Sequence, residues 1–235
     1  VGVGPGDAEL MTLKALRVLK ACSVIAVPDS GRDGEGLAES IVKQALGKDL
    51  GQKEFLRLKL PMTKDVNELR KARKLAAKNI VKRLEDGTDV AFVTIGDPLF
   101  YSTFSPLVPY VKDACPKAVV SVVPGVMSVS ATAAALLTPL SEASEKVAII
   151  PATYGVEEVR DAIEEFDVVV LMKVNRSLDR ILGLLDEFGL SDSAAFVSKA
   201  SWPDEEVVRD VRKLRGETPG YFSMMVIRKK EGAEK

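Results

Sequence analysis

Histidine is missing altogether from this 235-residue chain. Without it no Ser-His-Asp or Cys-His pair can form, no zinc site can use imidazole, and no side chain titrates by default near neutral pH. Cysteine is almost as scarce. Cys22 and Cys115 are the only two, too few for a multi-cysteine metal site and too far apart in sequence for a local thiol motif. Both are read as reduced core residues. A cytoplasmic location is the expectation that reduced cysteines carry, and no signal peptide is visible. Charge of one sign is not in excess either: 33 Lys and Arg against 34 Asp and Glu leave −1, so the basic field that a general nucleic-acid binder needs is lacking. Long apolar runs are also absent. The longest, 131–137 and 168–172, fall far short of the roughly 18 residues that suggest a membrane span. The expectation is a protein with no metal site, no nucleic-acid partner and no membrane partner.

What remains is ordinary globular material, with 46% hydrophobic and 29% charged residues, which excludes a disordered tail or a disulfide mini-scaffold. The length allows one large domain or two small ones at about 150 residues per domain. Short β-branched runs at 24–27, 90–94, 119–123, 147–150, 168–172, 195–198 and 222–227 read as buried strands of a largely parallel sheet. Helical stretches lie between them. Asp7 is placed to cap a helix over 8–20, and 36–46 forms a shorter one. The longest runs from about 65 to 85, with Asp65 and Glu68 in capping-box spacing and Leu69, Ala72, Ala76, Ile80 and Leu84 on one stripe. Its many Lys and Arg residues read as a solvated face. Further helices are expected over 155–165 and 176–188. The character changes around 137–145, where Leu137-Thr138-Pro139-Leu140-Ser141 separates a small-residue helix from a new strand. The chain is therefore divided into an N-terminal α/β domain, 1–138, and a C-terminal α/β domain, 139–235.

Three strand-to-helix turns carry candidate chemistry. The first is Val1-Gly2-Val3-Gly4-Pro5-Gly6-Asp7, where glycines let backbone approach a ligand. A dinucleotide fingerprint needs Gly at the sixth place of G-x-G-x-x-G, and that place holds Asp7, which would repel a pyrophosphate. A nicotinamide-dependent oxidoreductase, the alternative from another enzyme class, is disfavoured on that ground. The second turn, Thr94-Ile95-Gly96-Asp97-Pro98-Leu99-Phe100-Tyr101-Ser102-Thr103, follows a buried strand at the carboxyl end, where open α/β sheets bind ligands. The third, Val122-Val123-Pro124-Gly125-Val126-Met127-Ser128, leads into a helix of small residues. Those small residues leave room for a flat ligand or serve close helix–sheet packing equally well.

Taken together, in this order and spacing, these segments resemble the tetrapyrrole methylase family, the S-adenosylmethionine-dependent enzymes of cobalamin and sirohaem synthesis. The resemblance runs from Gly2 to about Ile227. It is strongest to the members that methylate C-20 of precorrin-2 or cobalt-factor II, through Leu60-Pro61-Met62-Thr63, the segment 94–104 and Pro124-Gly125-Val126-Met127-Ser128. Another member acting at a different corrin carbon is the near alternative. The resemblance implies two α/β domains with the active-site cleft between them, a homodimer, and S-adenosylmethionine as cofactor with S-adenosylhomocysteine as product. It places Pro5, Ile95, Gly96, Asp97, Phe100, Met127, Ser128, Met172 and Ala200 at cofactor-contacting positions. Sirohaem-pathway relatives carry a catalytic Asp at the end of the second strand, where this chain has Pro28. No catalytic base is therefore carried over to the adjacent Asp29, and the substitution fits the corrin-side members.

The implied chemistry suits a chain without histidine. A sulfonium is already a strong methyl donor and a meso carbon of a reduced tetrapyrrole is electron-rich, so alignment is the main task, contributing about 7–11 kcal/mol through removed entropy cost. The meso proton can leave to a substrate carboxylate or to water. An eight-carboxylate macrocycle calls for cations at its rim, and Arg32, Lys173, Arg176 and Lys199 lie near expected strand ends. The Gly-rich, charged stretch 29–36 is expected to act as a lid.

Overall fold

The computed structural model describes residues 1–29, 36–153 and 155–229. The chain divides into two compact units, Val1–Met127 and Ser128–Lys235. The stretch expected to form a lid falls, but for its two ends, outside the described residues.

The first unit is built on a parallel three-stranded sheet in the order β2-β1-β3: β1 (Val24–Asp29), β2 (Glu54–Lys59) and β3 (Val90–Phe92). Side chains alternate across it, so β1 feeds two cores. Ile25 and Val27 pack with α1 (Leu13–Ala21) and α2 (Leu37–Leu46), while Ala26 joins Leu58 and Phe92 against α3 (Val66–Glu85) and α4 (Val108–Ala114). The result is helices on both faces of a parallel sheet. Asp65 caps α3 by accepting from the Asn67 and Glu68 N–H groups at 2.8 and 3.2 Å. Helix α3 turns Ala76, Ala77, Ile80 and Val81 inward, and its lysines lie on the outer face, as the sequence suggests.

Two expectations fail in this unit. Residues 8–20 are not one helix, because Met11 is extended (φ −71°, ψ 136°) and splits them. Asp7 caps only the 3-10 turn Ala8–Leu10, and Thr12 caps α1 by accepting from Ala15 N at 3.1 Å. The β-branched run 119–123 forms no strand. Val119 is 92% exposed, and the run's link to the sheet is Val123, whose carbonyl accepts from Gly2 N at 2.9 Å. β-Branching signals strand propensity but cannot supply the burial that makes a ladder form.

The second unit holds α5 (Ser128–Leu136), α6 (Val156–Glu165), α7 (Leu178–Glu187) and a five-stranded sheet in the order β4-β5-β8-β6-β7. Its strands are β4 (Val147–Pro151), β5 (Val168–Met172), β6 (Ala194–Ser198), β7 (Glu206–Val208) and β8 (Ser223–Arg228). Only β4 and β5 are parallel; β8 runs antiparallel to β5 and β6, as does β7 to β6. The largely parallel sheet expected from the sequence is thus confined to the first unit. One face of this sheet, with Val169, Leu171, Phe196, Met225 and Ile227, packs on Val159, Ile163, Ile181, Leu182 and Leu185 of α6 and α7. Helix α5, assigned from the sequence to the N-terminal domain, lies within this unit. Its Thr132 hydroxyl is fully buried and donates to the Met224 sulfur of β8 at 3.2 Å.

Candidate functional site

The first unit gathers three backbone segments at the carboxyl end of β3. Beyond Phe92 the chain stays extended beside the N-terminal segment: Thr94 N donates to Val1 O at 3.0 Å and Val3 N to Thr94 O at 2.9 Å. It then turns at Gly96, whose φ of +69° is a conformation that favours glycine. Gly96 N donates to Gly4 O at 2.8 Å, and Gly2 N donates to Val123 O on the third segment. Gly2, Gly96 and Gly125 therefore meet backbone to backbone. A Cβ on Gly125 would stand 2.2 Å from Gly96 O and 2.9 Å from Gly2 Cα, and one on Gly2 would stand 2.5 Å from Gly96 O. Gly96 differs, since a Cβ there would find only Val126 O, at 3.9 Å. That is ordinary van der Waals distance, so it is the positive φ and not crowding that calls for glycine at this turn.

Asp97 follows directly. Its Oδ1 accepts from Leu99 N at 2.8 Å and its Oδ2 from Gly125 N at 3.0 Å, so one carboxylate spans two segments. Pro5 is buried next to Gly4, and Ile95 and Phe100 are half-buried. The Phe100 ring meets that of Tyr101 edge-on at 4.8 Å. Met127 ends this unit and Ser128 opens α5. The structure thus puts Pro5, Ile95, Gly96, Asp97, Phe100 and Met127 on three touching segments. Thr94 Oγ1, just before the turn, is buried without a hydrogen-bond partner, a feature the sequence reading missed because a lone Thr at a strand end carries no signal.

In the second unit the corresponding residues lie along one end of the sheet. Met172 ends β5, Ala200 follows β6, and β8 begins between them. Lys173 and Lys199 both adopt left-handed backbone, φ 58° and 51°. Their N–H groups donate to Ser223 O and Phe222 O at 2.8 and 2.7 Å. This pins both turns to the start of β8. The Lys173 ammonium lies 5.4 Å from the Tyr221 ring centre, and Lys199 is ion-paired with Asp204. Trp202 stacks on Phe222 at 5.9 Å, and Tyr221 meets Phe222 edge-on at 5.2 Å. The sequence reading passed over this aromatic cluster, for which Gly220-Tyr221-Phe222 and the chain's single Trp were the available hints. Arg176 is exposed in the 3-10 turn Val174–Arg176. Arg32 lies outside the described residues.

The first glycine-rich turn does not offer a pyrophosphate site. The Asp7 carboxylate accepts from Glu9 N at 2.8 Å and so takes a donor that a phosphate would need. Among the described residues no cluster of three or more metal-ligating side chains occurs, and no helix is long and apolar enough to cross a membrane.

Comparison with known proteins bears on this geometry. The family model for tetrapyrrole (corrin/porphyrin) methylases matches residues 1–214. The cobalt-precorrin-2 C(20)-methyltransferase of Salmonella typhimurium is 32% identical, over 97% of this chain and 94% of its own. A protein of Methanocaldococcus jannaschii named as a probable enzyme of the same kind is 37% identical, over 97% of this chain and 94% of its own. The fold is shared with the uroporphyrin-III C-methyltransferase of Thermus thermophilus solved with S-adenosylhomocysteine: TM-score 0.67, 22% identity, 97% of this chain and 95% of that one.

Proposed function

The chain belongs to the tetrapyrrole (corrin/porphyrin) methylases, and from that premise we propose that it moves a methyl group from S-adenosylmethionine to C-20 of precorrin-2 or cobalt-factor II in cobalamin biosynthesis. Full-length similarity to two relatives named for C(20) methylation, at 32% and 37% identity, carries the choice of ring carbon.

The first unit supports this in one respect: Gly2, Gly96 and Gly125 bring three backbone segments together beyond the carboxyl end of β3, the end of an α/β sheet where ligands bind. On this reading Pro5, Ile95, Gly96, Phe100, Met127 and Ser128, with Met172 and Ala200 of the second unit, hold S-adenosylmethionine, and Asp97 belongs to the same set. The bound cofactor supplies an electrophilic methyl group on a sulfonium. The chain's own task is to hold donor and acceptor aligned and to keep water away, which needs no imidazole. Lys173, Arg176 and Arg32 take the substrate's carboxylates. Lys199 contributes less while it is engaged by Asp204. We take the protein to work as a cytoplasmic homodimer, which sedimentation equilibrium checks.

Trp202 is the chain's only tryptophan and lies two positions beyond Ala200. S-Adenosylhomocysteine is expected to change its emission saturably, at micromolar ligand. Incubation with precorrin-2 and carbon-13-methyl S-adenosylmethionine then places the label at C-20 by NMR. A label at another ring carbon overturns the C-20 assignment but leaves the family activity standing. No binding and no labelling by folded protein overturns the whole reading.

A further inference from the structure

Asp97 occupies a position where a direct cofactor contact is expected, yet its carboxylate is spent on backbone. One oxygen fixes its own turn through Leu99 N at 2.8 Å, and the other reaches Gly125 N, 28 residues on, at 3.0 Å. Between these two segments there is no room for packing side chains, because Gly125 and Gly96 touch backbone to backbone. Glycines leave such a junction with the fewest restraints on its own conformation. A charged acceptor fixed to amides on both sides supplies the missing restraint, and charge-assisted hydrogen bonds of this kind are the stronger ones.

We propose that Asp97 is a positioning residue, which sets the separation between the Gly96 turn and the Pro124-Gly125 turn and acts on S-adenosylmethionine through them, not through its own charge on the sulfonium. This rests on the cofactor reading above. The two roles separate chemically. A carboxylate facing the sulfonium would favour S-adenosylmethionine over S-adenosylhomocysteine, which has lost that positive charge. A clamp between loops serves both ligands equally.

The test compares wild type, Asp97→Asn and Asp97→Ala by titration calorimetry with each ligand, alongside amide hydrogen exchange of the ligand-free proteins. Asn keeps the shape but turns an N–H toward one of the two amides. Both variants are expected to weaken the two ligands by one common factor, about tenfold to a hundredfold, with faster exchange confined to Leu99, Gly125 and their neighbours. Loss of global stability would instead raise exchange throughout and leave affinity well below the melting temperature unchanged. A loss at least tenfold greater for S-adenosylmethionine than for S-adenosylhomocysteine overturns the proposal in favour of a direct sulfonium contact. Wild-type affinity in both variants, or exchange raised without a local maximum at Leu99 and Gly125, also overturns it. If wild type itself fails to bind S-adenosylhomocysteine, the cofactor reading falls and this role with it, an outcome visible before any variant is measured.

Discussion

Glu39 offers the sharpest check on the energetics of the first unit. It sits in the first turn of α2 and is 1% exposed. Its carboxylate accepts from Arg57 Nε and Nη2 at 2.9 Å each, and Lys43 Nζ lies at 3.0 Å. The Arg57 hydrogen bonds, aided by Lys43 and opposed by burial, bring its pKa from 4.5 to about 2. A carboxyl depressed in the folded state stabilises the fold fully above its unfolded pKa, and the contribution is lost as pH falls through the folded one. The window is therefore from about 4.5 down to about 2. At 1.36 kcal/mol per pKa unit the shift amounts to roughly 3 kcal/mol at neutral pH, and solvent screening at the Arg57 side lowers the expected value to about 2 kcal/mol. Glu39→Gln keeps the shape and removes the charge. Arg57 and Lys43, 59% and 35% exposed, can return to water, so the loss reports on Glu39 itself. Urea unfolding followed by far-UV circular dichroism should find the variant about 2 kcal/mol weaker at pH 7. The gap should shrink below pH 4.5 and be nearly closed at pH 2. A gap of constant size across that range, or no gap at pH 7, would refute the assignment of the stabilisation to an ionised, paired Glu39.

Other substitutions have equally definite outcomes. Gly125→Ala places a Cβ 2.2 Å from Gly96 O and is expected to lower stability by about 3 kcal/mol or more in thermal unfolding. Gly183→Ala, inside α7 with nothing within 4 Å, should raise stability by about 0.5–1 kcal/mol; equal effects from the two would sink the backbone-contact argument. Thr94→Val removes a buried hydroxyl without a partner and should stabilise the ligand-free protein by about 1 kcal/mol, whereas destabilisation would mean that the hydroxyl is bonded in solution. Arg228 holds Pro139 O at 2.7 Å and reaches Glu142 and Glu145 at 2.6 and 2.8 Å. Arg228→Met leaves the 10%-exposed Glu145 carboxylate, which accepts from Glu142 N at 2.6 Å, without its cation, with an expected cost of about 2–4 kcal/mol and faster proteolysis between residues 138 and 146, and wild-type proteolysis there would argue against the tie.

Burial on both faces made parts of the fold readable. The run 168–172 is apolar throughout, and its strand, Val168–Met172, has the bounds read from sequence. Helix α3 was legible through its stripe and its Asp65 cap. Two strands went unread. Strand β2, Glu54–Lys59, lies at a sheet edge with charges at three of its positions, and β7 is a short edge strand, so neither shows the apolar run that marks a central strand. Direction was also illegible, since a period of two is the same for parallel and antiparallel neighbours, and β8 entered the sheet against β5. At the candidate site the sequence exposed the three turns through their glycines and Asp97. It could not show that Gly2 and Gly125 press on Gly96, because contact between segments far apart in the chain leaves no local pattern. Nor could it show the Trp202, Tyr221 and Phe222 cluster, which forms when β8 brings its start alongside the ends of β5 and β6.

That late strand has a consequence for how the protein is made. Everything in the first unit has left the ribosome once residue 127 has emerged, so its sheet can close while translation continues. The second sheet has no such freedom: β8 forms the seam between β5 and β6, and it is synthesised after the other four strands of its sheet. Until Arg228 clears the exit tunnel, β5 and β6 each wait with an open inner edge, the kind of surface that recruits strands from other nascent chains. A ribosome stalled just before Ser223 would therefore hold a finished unit joined to one that is ready to aggregate, and dependence on a co-translational chaperone should concentrate in the interval between the emergence of β6 and that of β8.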